Sequence, residues 1–289
     1  MPLRPLSEVE LVVGSFSAGL DHPEGITWGP DGHAYAGGEI GQIYRIDVRA
    51  GAYQQIALSQ GFIGGVACDA AANVYACNVG KRALVRAQPD GSVTVVSAGT
   101  DDLPMQTPNY PCFHPSGDLY VSDSGEWGAD TGRIYRIRPD GATELFSTAA
   151  SQFTNGMCLS PDASWLYVVE STMPGVSRIR VNDDGSAGER QIVATLPGDT
   201  PDGVQFDTDG NLYIALYIPD RIYRLQPSGR IEVLVEDPQH TVIASATNIV
   251  FGGADRRDLL LSSLGRWHIG RLRMETPGVP LHYPDPIGE

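Results

Sequence analysis

Six copies of one fragment, and a second fragment repeated in step with the first, predict an all-β chain: a six-bladed β-propeller with four-stranded antiparallel blades, closed by its N-terminal strand. The first fragment is a polar residue, a few apolar residues, a Pro/Asp/Gly turn and an apolar strand, usually containing Tyr. Its copies begin at Glu24 (EGITWGPDGHAYA), Gly64 (GGVACDAAANVYA), Asn109 (NYPCFHPSGDLYV), Asn155 (NGMCLSPDASWLYV), Asp202 (DGVQFDTDGNLYI) and Asn248 (NIVFGGADRRDLLL). The intervals are 40, 45, 46, 47 and 46 residues, the period of propeller blades. The second fragment reads IYRI at 43–46 and 134–137 and IYRL at 222–225, with weaker copies ALVR (83–86), VSRI (176–179) and IGRL (269–272). Apolar and polar residues alternate within both fragments, the period of half-buried strands, and no run of useful length has helical periodicity.

The elements follow in order. The run 9–16 is a strand that no blade claims, so it is expected as the outer strand of blade six, where it closes the ring and protects the sheet edges. The third blade parses fully: strand A at 110–113, a turn at 114–117, strand B at 119–122, a loop at 123–132, strand C at 133–138 and, after Pro139, Asp140 and Gly141, strand D at 143–147. Asp, Gly and Pro supply the tight geometry at each break. Strand C carries an Arg in every blade (Arg45, Arg86, Arg136, Arg178, Arg224 and Arg271). Six equivalent copies of a charge point to a structural or solvent-face role. After strand C of blade six the chain runs into a Pro-rich tail, PGVPLHYPDPIGE. One domain over 1–289 is expected, because a blade cannot bury its own faces and must stack on neighbours.

The composition suits such a chain: 289 residues, 42% hydrophobic, with 34 Gly and 21 Pro for turns. A net charge of −15 argues against nucleic acid and against an anionic membrane surface. No apolar run approaches a membrane span, and MPLRPLSEVE lacks the basic-then-apolar pattern of a signal peptide. A cytoplasmic protein, monomeric or weakly homo-oligomeric, with a small-molecule partner is the expectation. Cys68, Cys77, Cys112 and Cys158 have no metal-type spacing and read as buried thiols. Cys68 and Cys77 could face each other across a hairpin, which leaves one disulfide open.

The chemistry is expected at the ring. Five of the six register positions (Glu24, Asn109, Asn155, Asp202 and Asn248, with Gly64 the exception) carry oxygen acceptors, which converge on the axis if the ring closes. Carboxylate and amide oxygens suit a hard divalent cation. Ca²⁺ leads, Mg²⁺ and Mn²⁺ fit the same donors, and Fe²⁺ and Zn²⁺ stay open. Loops between strands B and C lie on the same face and should form the outer wall from Glu39, Asn78, Asp123, Glu126, Trp127, Glu170, Tyr217, Trp267 and His268. Loops entering strand A add His22, Phe62, Thr107 and His240. His33 and His114 fall in turns on the far face and read as surface residues. There is no GxSxG elbow, phosphate-cradling loop or HExxH.

The segments HPEGITW, NGMCLSPD with LYVVES, PDGVQFDTDGNLYIA and ATNIVFGGADRRDLLLSS, spread over nearly the whole chain, resemble the SMP-30/gluconolactonase/luciferin-regenerating-enzyme family of six-bladed propellers. The resemblance implies metal ligands Glu24, Asn155 and Asp202, with Asn109 contacting substrate, metal or metal-bound water. It also implies hydrolysis of a lactone, with Asp202 as first choice of general base; Glu126, from the loop between strands B and C, is a second candidate. Thr107, Trp127, Tyr217, His240, Asn248, Trp267 and His268 are the expected substrate contacts beside Asn109. Sugar-lactonase members place an Arg two residues before the Asn, where this chain has Thr107. That loss of a strong donor for sugar hydroxyls points to a less polar lactone or ester. Glu24, Asn109, Asn155 and Asp202 also fit the donor set of diisopropylfluorophosphatase-like phosphotriesterases. A non-catalytic ligand- or protein-binding propeller with a structural cation, and a condensing role resembling strictosidine synthase, are further alternatives.

Overall fold

A computed structural model describes residues 3–15 and 17–288. Apart from a 3-10 turn at Leu6–Glu8, its regular elements are all strands. They form six four-stranded antiparallel sheets. The innermost strands are Ile26–Trp28, Ile63–Cys68, Pro108–Phe113, Thr154–Leu159, Thr200–Phe206 and Ile249–Gly252. Each touches the innermost strand of the next blade, and the last touches the first, so the sheets close into a six-bladed β-propeller. Val9–Ser15 pairs antiparallel with Trp267–Arg273 as the outer strand of blade six. Phe16, the expected end of that strand, lies outside the described residues, as do Met1, Pro2 and Glu289.

In blade three, strand A begins two residues earlier than expected, at Pro108, strand B extends to Asp123 and strand C stops at Ile137, while strand D is Thr143–Ser147. Apolar clusters fill the spaces between blades; one joins Tyr75 and Leu84 of blade two to Phe113 and Tyr135 of blade three. The strand-C arginines are structural. Arg45 pairs with Asp31, Arg136 with Asp118 and Glu144, Arg224 with Glu232 and Arg271 with Glu10. Arg178 binds Gln191 and the Tyr167 hydroxyl, and Arg86 binds the Ile287 carbonyl. All four cysteines are free thiols, so Cys68 and Cys77 form no disulfide. Burial pushes the Cys112 thiol up to about 12, which keeps it protonated and unreactive at neutral pH. His33 and His114 are half-buried rather than surface residues: His33 meets Arg45, and His114 meets the Ala163 carbonyl.

The Pro-rich tail forms no strand. It crosses the far face as a strap, contacting blades six and five at Gly278 and Val279, blade one at Tyr283, blade two at Pro284 and Ile287, and blade three at Gly288. Its residues 279–283 close a cavity of about 50 Å³ beneath the ring.

Candidate active site

Three ring residues, Asn109, Asn155 and Asp202, sit in irregular pairing, whereas Glu24 precedes a strand that pairs regularly. In blades two to five the register between strands A and B shifts across the ring position, at residues 63–66, 108–111, 154–157 and 201–204. Such bulges leave residues outside the ladder and re-aim their side chains. The glycine that follows is required by close approach. A Cβ on Gly156 would sit 2.5 Å from the Asp202 carbonyl oxygen, and one on Gly203 2.6 Å from that of Thr247. Hydroxyls from neighbouring strands fix the ring backbone. Ser122 donates to the Asn155 carbonyl, and both Ser262 and Thr247 donate to that of Glu24.

Glu24, Asn109, Asn155 and Asp202 line one cavity of about 270 Å³ on the axis. Glu24, Asn155 and Asp202 are buried, and Asn109 is half-buried. Each of the four presents a buried oxygen without a hydrogen-bond partner: Glu24 Oε2, Asn109 Oδ1, Asn155 Oδ1 and Asp202 Oδ1. The Asn155 amide donates to Ser171 Oγ (3.1 Å). Burial, and then the charge of Asp202, raise the Glu24 carboxyl well above the usual range. Burial likewise raises Asp202, against a lowering hydrogen bond from Asn155. Among the described residues, no Lys, Arg or His lines this cavity. Two desolvated carboxylates and two amide oxygens with nothing to bind are the donor set of a hard divalent cation, whose charge would balance both acids. Buried polar atoms are otherwise almost always satisfied.

The wall comes from loops. Phe62, Thr107, Phe153 and Thr200 each lie two residues before a ring position and line the cavity. Phe62 and Thr107 are expected from the sequence; Phe153 and Thr200 are not, although the same register offset in the repeats would have found them. Phe153 holds a positive φ of 54°, an unusual conformation for a bulky residue. Its ring meets Trp127 edge-on, with centroids 4.6 Å apart. Val79, Ser171, Tyr217, Thr247 and Leu264 complete the lining.

Three expected wall residues instead hold the loops. Asp123 is fully buried and accepts from the amides of Gln106 (2.9 Å) and Thr107 (2.6 Å). Asn78 donates to Ser59 and to the Gln60 carbonyl, and Glu170 accepts from Ser177 and Arg190. Asp123→Ala is therefore expected to cost roughly 2–4 kcal/mol, because it strands buried donors and the Arg133 charge. A urea midpoint equal to that of the parent would refute this role.

Other expected contacts are not brought to the cavity. Glu126 is exposed; its amide donates to Thr131 Oγ1, and the loop presents Trp127 inward in its place. His268 is fully buried, its ring nitrogens facing the carbonyls of Val242 (2.9 Å) and Ser15 (3.3 Å), so it packs the blade-six closure. Trp267 stacks on His22 outside the lining, at 4.6 Å between centroids. Asn248 is buried; its amide points at the Glu24 carbonyl (3.4 Å) and its backbone binds Ser262. His240 lines a neighbouring cleft that shares Tyr217, with Nδ1 2.5 Å from Asp220 Oδ2. Glu39 sits with Asp21 and His22, their ligand atoms within 4.8 Å of one another.

A family model described as the SMP-30/gluconolactonase/LRE-like region matches residues 22–265, from just before Glu24 to just past Leu264. The chain belongs to this family. As an SMP-30/gluconolactonase/LRE-like protein it is 32% identical over 113 residues to a 6-deoxy-6-sulfogluconolactonase of Pseudomonas putida, a match covering 38% of each chain. It is 29% identical over 150 residues to the lactonase drp35 of Staphylococcus aureus, covering 48% of this chain and 46% of that one. The matches thus span less than half the length of these relatives. Solved structures of the same shape include regucalcin from Agrobacterium tumefaciens, described as a calcium-binding protein, at TM-score 0.78 and 19% identity over 98% of both chains. A gluconolactonase from Xanthomonas campestris aligns at TM-score 0.76 and 19% identity, over 92% of this chain and 88% of the other. At these identities the structural likeness concerns the fold. No helix among the described residues is long and apolar enough to cross a membrane.

Proposed function

We propose that this protein is a divalent-metal-dependent hydrolase that opens a small-molecule lactone. The observation that carries the reading is the set of four unpartnered ring oxygens, two of them on buried carboxylates, in a cavity without a cationic side chain. Glu24, Asn155 and Asp202 would hold the cation, with Asn109 as a fourth donor toward the cation, the substrate or a water. Ca²⁺ is the first candidate, from all-oxygen donors and from a structural neighbour described as calcium-binding. When bound, the cation supplies a Lewis acid that polarises the lactone carbonyl and balances the charge developing on its oxygen.

The chain's own residues supply the rest. Asp202 would take the proton of the attacking water, as one of the two carboxylates in the cavity lining beside Glu24. Asn109 Oδ1, a buried oxygen with no hydrogen-bond partner, would orient that water. Phe62, Trp127 and Phe153 would give the reacting ester an apolar wall on one side. The named activities of the relatives, a sulfogluconolactonase and a lactonase, support a lactone over other esters.

The test is metal content of the purified protein, with turnover on a panel of lactones and organophosphates before and after chelation. Chelation-sensitive lactone hydrolysis restored by one cation is the expected result. Turnover of organophosphates alone would replace the lactonase reading with a phosphotriesterase. Bound metal without turnover on either set would leave a binding protein, and failure to bind any metal would overturn the site.

A further inference from the structure

We infer that the substrate is a neutral, apolar lactone whose alkyl or aromatic substituent seats against Trp127 and Phe153, rather than a sugar lactone. This deepens the lactonase reading above and rests on it. Three observations carry it. The wall is built from Phe62, Val79, Trp127, Phe153 and Leu264, together with Tyr217. Trp127 is 60% exposed at the cavity mouth, and its edge-on contact with Phe153 leaves aromatic surface for a ligand.

The lining hydroxyls, second, have mostly spent their protons. Thr107 donates to the Gly125 carbonyl, Ser171 to that of Pro201 and Thr247 to that of Glu24. Among the lining side chains of the described residues, Thr200, Tyr217, the Asn109 amide and the Trp127 indole N–H remain as donors. A polyhydroxylated lactone would lose its water shell against carbon, and each buried polar group left unpaired weakens binding roughly 5- to 150-fold. Third, the two ring carboxylates would be balanced by one divalent cation, and among the described residues no Lys, Arg or His lines the cavity to hold an anionic substituent.

The experiment compares kcat/KM for glucono-δ-lactone, unsubstituted δ-valerolactone, an alkyl-chain δ-lactone and a benzo-fused δ-lactone. The alkyl and benzo-fused substrates are expected to exceed glucono-δ-lactone by about 100-fold or more. Trp127→Ala, at an exposed position, is expected to raise KM for the benzo-fused lactone about tenfold, with a several-fold smaller change for δ-valerolactone. Equal or better use of glucono-δ-lactone would overturn the inference, as would equal losses on both substrates in the variant. Titration with a benzo-fused lactam, followed by tryptophan fluorescence, separates the two readings. Tight lactam binding with no lactone turned over refutes the lactonase and keeps the apolar site. Turnover confined to sugar lactones, with no lactam binding, does the reverse.

Discussion

Asp202→Asn is expected to stabilise the metal-free protein while cutting metal affinity and turnover by about 100-fold or more. The substitution keeps the shape of the side chain and removes one of two like charges buried on the axis. In the metal-free protein those charges oppose folding: burial raises both carboxyls, and Asp202 raises Glu24 further. A group whose folded value lies above its unfolded one contributes stability that is fully present below the unfolded value, about 4 for carboxylates. That stability is lost as pH rises through the raised folded value.

The melting temperature of chelated wild type should therefore fall, relative to Asp202→Asn, as pH rises from about 4 toward neutrality. A saturating cation should reverse the order, because it binds the ionised acids and so stabilises only the protein that carries them. Turnover falls because the variant loses a ligand charge and the proton acceptor together; a single preorganised electrostatic contact is worth about 10²–10³ in rate. The readouts are melting curves against pH with chelator and with Ca²⁺, metal affinity by titration, and kcat. Parallel pH profiles for wild type and variant would show that the acids do not repel on the axis. Unchanged metal affinity would remove Asp202 from the site.

Deleting residues 279–288 is expected to lower the melting temperature by on the order of 10 °C or more. The segment is held at each step. Val279 donates to the Phe206 carbonyl (3.0 Å), the Tyr283 hydroxyl to that of Trp28 (2.9 Å) and the Ile287 amide to the Tyr75 hydroxyl (3.0 Å). Pro284 accepts from Ala70 (2.8 Å) and Ile287 from Arg86 (2.9 Å). Val279, Leu281, Tyr283 and Ile287 each join a different inter-blade cluster. Burying such side chains contributes roughly 1.5–3 kcal/mol each when complete, so losing four contacts removes a large part of a typical stability of about 5–15 kcal/mol. Deletion also removes residues 279–283 from the wall of the far-face cavity. Ile287→Ala, at a site 5% exposed, isolates one contact and should cost about 2–4 kcal/mol. A truncated protein that melts within about 2 °C of the full chain would show that the strap adds no stability.

The blades were legible in the sequence because every blade obeys the same local constraints. A strand buried on one face must alternate, a hairpin must turn on Asp, Gly or Asn, and in four of the six blades glycine follows the ring residue where inner strands nearly touch. Six repetitions lift those weak signals above chance, and the same register brought Glu24, Asn109, Asn155 and Asp202 into one list before their oxygens were seen to converge. It also held Phe153 and Thr200, at the offset that Phe62 and Thr107 share.

Tertiary structure alone decided what depends on where a side chain points after long-range packing. Asn248 occupies the ring register, yet its amide turns to the Glu24 carbonyl and its buried side chain stays outside the cavity lining. His268 follows the blade-six loop as a pocket residue would, but the returning N-terminal strand and the Val242 carbonyl enclose it. Asp123, Glu170 and Asn78 stand where wall residues stand, but Asp123 and Asn78 bind the loops around them and Glu170 binds Ser177 and Arg190 of its own blade. The strap binds five blades through contacts that no repeat announces. Periodicity reports which residues share a surface of a strand; it carries no record of which distant segment will cover that surface.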